Sequence, residues 1–222
     1  LIEMGYADAM SYLASKSETG MTLSENTTAQ QTPVTGIRFT EKLEGEMAFE
    51  FPDDYGLNSG QVEFILYLSC HVQDLDEFIH SQHSARLTGS LFIKDLQREF
   101  YFYDGVYSFE TESLEYGSKQ IYYQASINWD GKLLKFSGTK TLRDDLGPDM
   151  WQDLTTMKIS LERQELTGQE SFIEGVGKMK IADMAKLLAS VHATGTDSKE
   201  AAFNAHARFS RFMLGETVEV YT

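Results

Sequence analysis

Cysteine is nearly absent from this chain. Its 222 residues include one, Cys70. No disulfide can form within the chain, and a reducing compartment is the natural setting. Proline is scarce, at 3 residues, while aromatics reach 12%. That combination excludes disorder over most of the length. Basic residues are outnumbered: 19 Lys and Arg face 34 Asp and Glu, for a formal net charge of -15. A surface of that sign repels phosphate backbones and anionic membranes, so nucleic acid is not an expected partner. No apolar run approaches the ~20 residues of a membrane-spanning helix, so no membrane span is expected. Leu1 to Lys16 has no basic segment leading into an apolar one, so no secretory signal is visible and a cytoplasmic location is expected.

What is present is an ordinary globular balance, with 41% hydrophobic and 24% charged residues. A chain this long can bury a core without a disulfide or a metal. Ile2, Tyr6, Met10 and Leu13 recur at helical spacing, which predicts an amphipathic helix over 1–15. Residues 16–36 turn to Ser, Thr, Gln, Asn and Gly and read as a flexible linker. Residues 37–222 are expected to form a single domain.

From Ile37 the period changes to two. Ile37, Phe39, Leu43, Met47, Phe49 and Phe51 share one parity, while Arg38, Lys42, Glu44, Glu46 and Glu50 take the other. Alternation of that kind marks a strand with one wet face, here with a bend expected near Gly45. Val62, Phe64, Leu66, Leu68, Cys70 and Val72 repeat the pattern. Leu75 to His80 reads as one helical turn. Further strands are predicted over Arg86 to Ile93, Arg98 to Thr111, Lys119 to Trp129, Lys132 to Arg143, Trp151 to Arg163 and Ser171 to Ile181. Asp130-Gly131 supplies the positive φ values of a type I′ hairpin turn, and Asp104-Gly105 reads as a second turn. About eight strands, many longer than the usual five or six residues, joined by short connections, predict an antiparallel meander. A lipocalin-like closed barrel is the leading expectation, because closure removes sticky edges. A β-sandwich is the alternative.

Helical period returns near the C-terminus. Met184, Leu187, Leu188 and Val191 form one stripe; Ala202, Phe203, His206, Phe209, Phe212 and Met213 form another. The two helices are expected to pack on the barrel, the second ending at Gly215 and leading to a short strand over Val218 to Tyr221.

The densest polar segment joins the strand ending at Arg143 to the one beginning at Trp151. Arg143, Asp144, Asp145, Asp149, Asp153, Thr155 and Thr156 read first as a structural cluster of hydrogen bonds, since an unpaired buried carboxylate is costly. Asp144, Asp145 and Asp153 are the candidates for acid/base catalysis. A calcium loop is a further reading, although the spacing departs from the EF-hand pattern. His80 and His83 have no third ligand nearby, so no metal site and no cofactor are expected. A dense aromatic band fits strand core and cross-strand pairing. It also fits the lining of a ligand cavity, with Tyr101, Tyr103, Tyr107, Tyr123, Trp129 and Trp151 as ligand-binding candidates.

The same segment carries a resemblance. Gly138, Lys140, Arg143, Asp144, Asp145, Gly147, Asp149, Trp151, Asp153, Thr155 and Thr156 follow a pattern that resembles the β-rich module of large bacterial fusion proteins. In those polypeptides the module lies between a GMC-type, cholesterol-oxidase-like flavin oxidoreductase and an α/β-hydrolase-type module. Leu154 departs from the pattern, which usually has Thr there. Phe39 to Gly45, Arg86 to Gly89, Gly177 to Met184, and Ala207 to Phe212 with Tyr221 are similar to other stretches of the module, so the likeness runs from Ile37 to Tyr221. The neighbours' equipment is missing: the chain has neither a Gly-x-Gly-x-x-Gly fingerprint after a strand nor a Gly-x-Ser-x-Gly elbow. The resemblance implies a lipid or sterol setting through those neighbours only.

Three functions are compatible with this reading. The first is a non-catalytic barrel that binds an apolar small molecule such as a lipid, fatty acid or sterol. The second is a filled barrel that docks a partner protein or forms a homo-oligomer. The third is an acid/base enzyme centred on Arg143, Asp144, Asp145 and Asp153.

Overall fold

The computed structural model describes residues 34–50, 52–58, 60–110, 118–143, 150–163 and 171–220. All belong to the compact unit Pro33–Thr222. The expected helix over 1–15 and the linker up to 33 lie outside the described residues, as do Asp144, Asp145 and Asp149.

Eight long strands follow one another: β1 (Gly36–Phe49), β2 (Gln61–Val72), β3 (Ser84–Ile93), β4 (Arg98–Glu110), β5 (Ser118–Trp129), β6 (Lys132–Arg143), β7 (Thr156–Arg163) and β8 (Ser171–Lys178). Each pairs antiparallel with the next, and β8 returns to β1 through Glu44↔Lys178 to Phe49↔Ile173. Because β1 also pairs with β2 from Ile37↔Val72 to Ala48↔Gln61, the sheet closes on itself. The architecture is therefore an up-and-down barrel, and the sandwich is excluded. A short strand β9 (His192–Thr194) adds to the free side of β1 at Gly36–Arg38.

The parity of the sequence sets the faces. Ile37, Phe39, Leu43, Met47 and Phe49 of β1 are buried, and so are Val62, Phe64, Leu66, Leu68, Cys70 and Val72 of β2. An eight-stranded barrel is just wide enough for its own side chains to fill. Each large apolar side chain so buried contributes roughly 1.5–3 kcal/mol. The wall also comes close to itself: a Cβ on Gly45 would lie 1.9 Å from the Val176 carbonyl oxygen, so only glycine admits the β1–β8 approach there.

Three local expectations are corrected. Asp104-Gly105 is a bulge inside a continuous β4, not a turn: the register shifts between Tyr103 and Val106, and Asp104 takes a φ of 50°. Trp151 to Thr155 is helical, within α2 (Met150–Thr155; α1 is the turn Leu75–Glu77), and β7 starts only at Thr156. A carboxylate explains the switch, because Asp153 Oδ2 accepts the Arg143 backbone N–H at 2.9 Å where the sheet ladder ends. Val218 to Val220 continue the last helix, and Gly215 lies inside it, with nothing within 4 Å of a Cβ placed there. The Asp130-Gly131 turn takes the two positive φ values expected of it, 52° and 86°.

Helix α1 is capped by Asp74, which accepts the N–H groups of Asp76 and Glu77, and runs on as a π turn over Phe78–Gln82. Helix α3 (Ile181–Ser190) lies along β1, and α4 (Lys199–Val220) brings Ala205 and Phe209 into the core.

Candidate functional site

Both ends of the barrel are plugged by aromatic side chains. At one end Phe49, Tyr55, Phe100 and Trp129 meet, with the Phe100 and Trp129 rings stacked at 4.0 Å. The Trp129 indole N–H donates to the Tyr55 carbonyl at 3.3 Å, so its polar atom is satisfied. At the other end Phe209 of α4 lies 5.6 Å from Phe39 and 6.1 Å from Phe78, and Phe39 meets Tyr107 edge to face at 5.7 Å.

Between the plugs sits a charge pair that sequence reading missed. Lys140 Nζ lies 2.6 Å from Glu41 Oε2, with side chains only 3% and 6% exposed. Tyr123 donates its hydroxyl to Glu41 Oε1 at 2.9 Å. Cys70 is buried nearby. Burial first, and then the Glu41 charge, pushes the Cys70 thiol and the Tyr123 hydroxyl well above their ordinary values. Cys70 is therefore held as an inert thiol. The signal was in the sequence: Glu41 shares the parity of Phe39 and Leu43, and Lys140 that of Phe136 and Leu142. A charge on the apolar parity of a strand needs a partner inside.

Of the predicted ligand-binding aromatics, Tyr107 and Tyr123 meet edge to face at 5.3 Å inside the barrel, and the others described lie apart from them. Tyr107, Tyr123 and Trp129 are core residues. Tyr101 and Tyr103 point outward from β4, 61% and 54% exposed. Trp151 falls in α2, and its side chain is outside the described set. Of the predicted polar cluster, Arg143 and Asp153 are joined, Thr155 donates its hydroxyl to the Gln152 carbonyl at 3.2 Å, and Thr156 opens β7. Asp144, Asp145 and Asp149 lie outside the described residues. His83 turns its Nδ1 to the Phe78 carbonyl, 2.6 Å away. Among the described residues no group of three or more His, Cys, Asp and Glu could hold a metal ion.

A broad cleft lies on the outer side of the barrel. It measures about 1180 Å³ and runs across β6, β7, β8 and β1 between Glu46, Ser137, Lys158 and Glu174. On the neighbouring wall Tyr101, Tyr103 and Val106 line the outer side of β4, and Leu133, 62% exposed, stands two strands away. A small cleft opens between Val106 and Leu133, bordered also by Asp104, Gln124, Ser126 and Lys135. No helix among the described residues is long and apolar enough to cross a membrane. Protein-family models, curated proteins and solved structures contain no match to this chain.

Proposed function

We propose that this chain is a binding module of the filled-barrel kind, which works through its outer surface by contact with another protein. The observation that carries this reading is the occupied interior: aromatic plugs at both ends and the Glu41–Lys140–Tyr123 network between them. An apolar carrier would need that volume for its ligand. The exposed face of Tyr101, Tyr103, Val106 and Leu133 supports the same reading, since aromatic residues are favoured at the centre of protein contacts. In the setting that the resemblance implies, the partner is an enzyme module of the flavin oxidoreductase or hydrolase type, in a reducing compartment such as the cytoplasm.

Photo-crosslinking from position 103 tests it, with position 158 on β7, three strands away, as the control. A single protein adduct of fixed mass from position 103, absent from position 158 and lost with Leu133→Ser, is the expected result. Equal labelling from both positions, or an apolar small molecule that co-purifies at the level of the chain, overturns the reading.

A further inference from the structure

The chain has a net charge of -15, yet four basic side chains line up among its described residues. On the outer face His192 of β9 is opposite Arg38 of β1, Arg38 is opposite His71 of β2, and His71 is opposite Arg86 of β3. Directly opposed residues share a face of the sheet, so the four side chains stand side by side over about 14 Å, three inter-strand spacings. The next outward row is Thr40, Ser69 and Thr88, again in register. Beyond the other flank come Gln73 and Ser84. None of these neighbours is a carboxylate.

No carboxylate among the described residues forms an ion pair with the row. Arg38 donates from Nε to the Ser69 hydroxyl at 3.0 Å and forms no ion pair among the described residues. Arg86 has no side-chain partner among them. His192 turns its Nδ1 to the Ser190 carbonyl at 2.8 Å. His71 Nε2 is shielded from solvent and has no hydrogen-bond partner among the described residues. Like charges directly opposite one another are unfavourable in a sheet. Burial, and then the charges of Arg38, Arg86 and His192, make His71 harder to protonate than usual.

A cleft of about 360 Å³ adjoins the row at Arg86, bordered by Phe78, Gln82, Ala85, Gly105 and Val106. Asp74 and Glu77 also border it, and Asp74 is engaged by the backbone N–H groups of α1. We infer that this outer row is a binding site for the phosphate group of a small organic phosphate ester, held by Arg38 and Arg86 with hydroxyls from the Thr40–Ser69–Thr88 row, its uncharged body lying in the adjoining cleft. Two guanidinium groups and a bank of hydroxyls match the acceptor-rich geometry of a phosphate.

Phenyl phosphate, inorganic phosphate and benzoate are the probes, titrated into the full chain at constant ionic strength while the imidazole NMR signals of His71 and His192 are followed. Saturable shifts of both signals are expected, with phenyl phosphate binding more tightly than inorganic phosphate and benzoate weakest. The double variant Arg38→Ala/Arg86→Ala is expected to weaken phenyl phosphate roughly tenfold or more, and the Arg38→Lys/Arg86→Lys variant to keep part of the affinity. Both arginines are exposed on the outer face, and an unchanged unfolding midpoint checks that each variant is folded. Equal affinity in the wild type and the double alanine variant, or shifts that never saturate, would overturn the assignment. Benzoate binding as tightly as phenyl phosphate would overturn the phosphate class.

Discussion

The barrel treats its charges in two opposite ways. Inside, Glu41 and Lys140 are sealed from water and paired at 2.6 Å, with Tyr123 completing the carboxylate's partners. Outside, Arg38, His71, Arg86 and His192 stand in register with no carboxylate between them. The inner pair is an obligation of the fold: once two strands carry charges on their apolar parity, each must find the other or be expelled. The outer row is under no such obligation, because water solvates it. Its arrangement is therefore free to serve binding, and the two regions should respond differently to the same kind of substitution.

The largest effect should come from splitting the inner pair. Lys140→Met leaves Glu41 buried without its cation and is expected to cost about 3–5 kcal/mol in denaturant unfolding. The double variant Lys140→Met/Glu41→Leu should recover most of that loss, because replacing both partners by apolar groups of similar volume is often neutral. Recovery would separate the cost of an orphaned charge from the worth of the pair itself.

Gly45→Ala is expected to be next. Its Cβ has no room against the Val176 carbonyl, so β1 and β8 must part, at a cost of about 1–3 kcal/mol. Glu44 gives a smaller, pH-dependent effect. Hydrogen bonds from Lys180, and then from Lys42, lower its carboxyl from 4.5 to about 2. A lowered carboxyl stabilises the fold above its ordinary range, and that stability drains away as pH falls from about 4.5 to about 2. Glu44→Gln should therefore cost about 1 kcal/mol near neutrality, allowing for solvent screening, and almost nothing at pH 2. Urea titrations at the two pH values read the difference.

The smallest stability effect belongs to the outer row. Arg86→Ala should shift unfolding by no more than about 0.5 kcal/mol in either direction, since nothing in the fold leans on that guanidinium. A loss as large as that of Lys140→Met would erase the contrast between the two regions.

Much of this architecture was legible in the chain. The alternation of Ile37, Phe39, Leu43 and Met47 names the inner face of β1, and Asp130-Gly131 names the hairpin between β5 and β6. The inner pair was legible too, from Glu41 and Lys140 breaking otherwise apolar parities, although strand reading passed over both. The outer row was not. Arg38, His71, Arg86 and His192 lie far apart in sequence, and only strand register brings them together. The bulge at Asp104-Gly105 was hidden for a related reason: an Asp-Gly pair suits a tight turn and a left-handed bulge residue equally well. Trp151 to Thr155 alternates like a strand over too few residues to resist the helical turn that Asp153 closes against Arg143. The aromatic band of β4 reads as one group, yet the pleat, shifted by the bulge at Asp104-Gly105, sends Phe100, Phe102, Tyr107 and Phe109 inward and Tyr101 and Tyr103 outward.

Native mass spectrometry of the purified chain, compared with its denatured mass after incubation with a fatty acid and a sterol, tests the filled barrel most directly. The account predicts that the native mass equals the chain mass, with neither molecule retained. One apolar molecule held per chain, and released only on denaturation, would contradict it and return the interior to ligand binding.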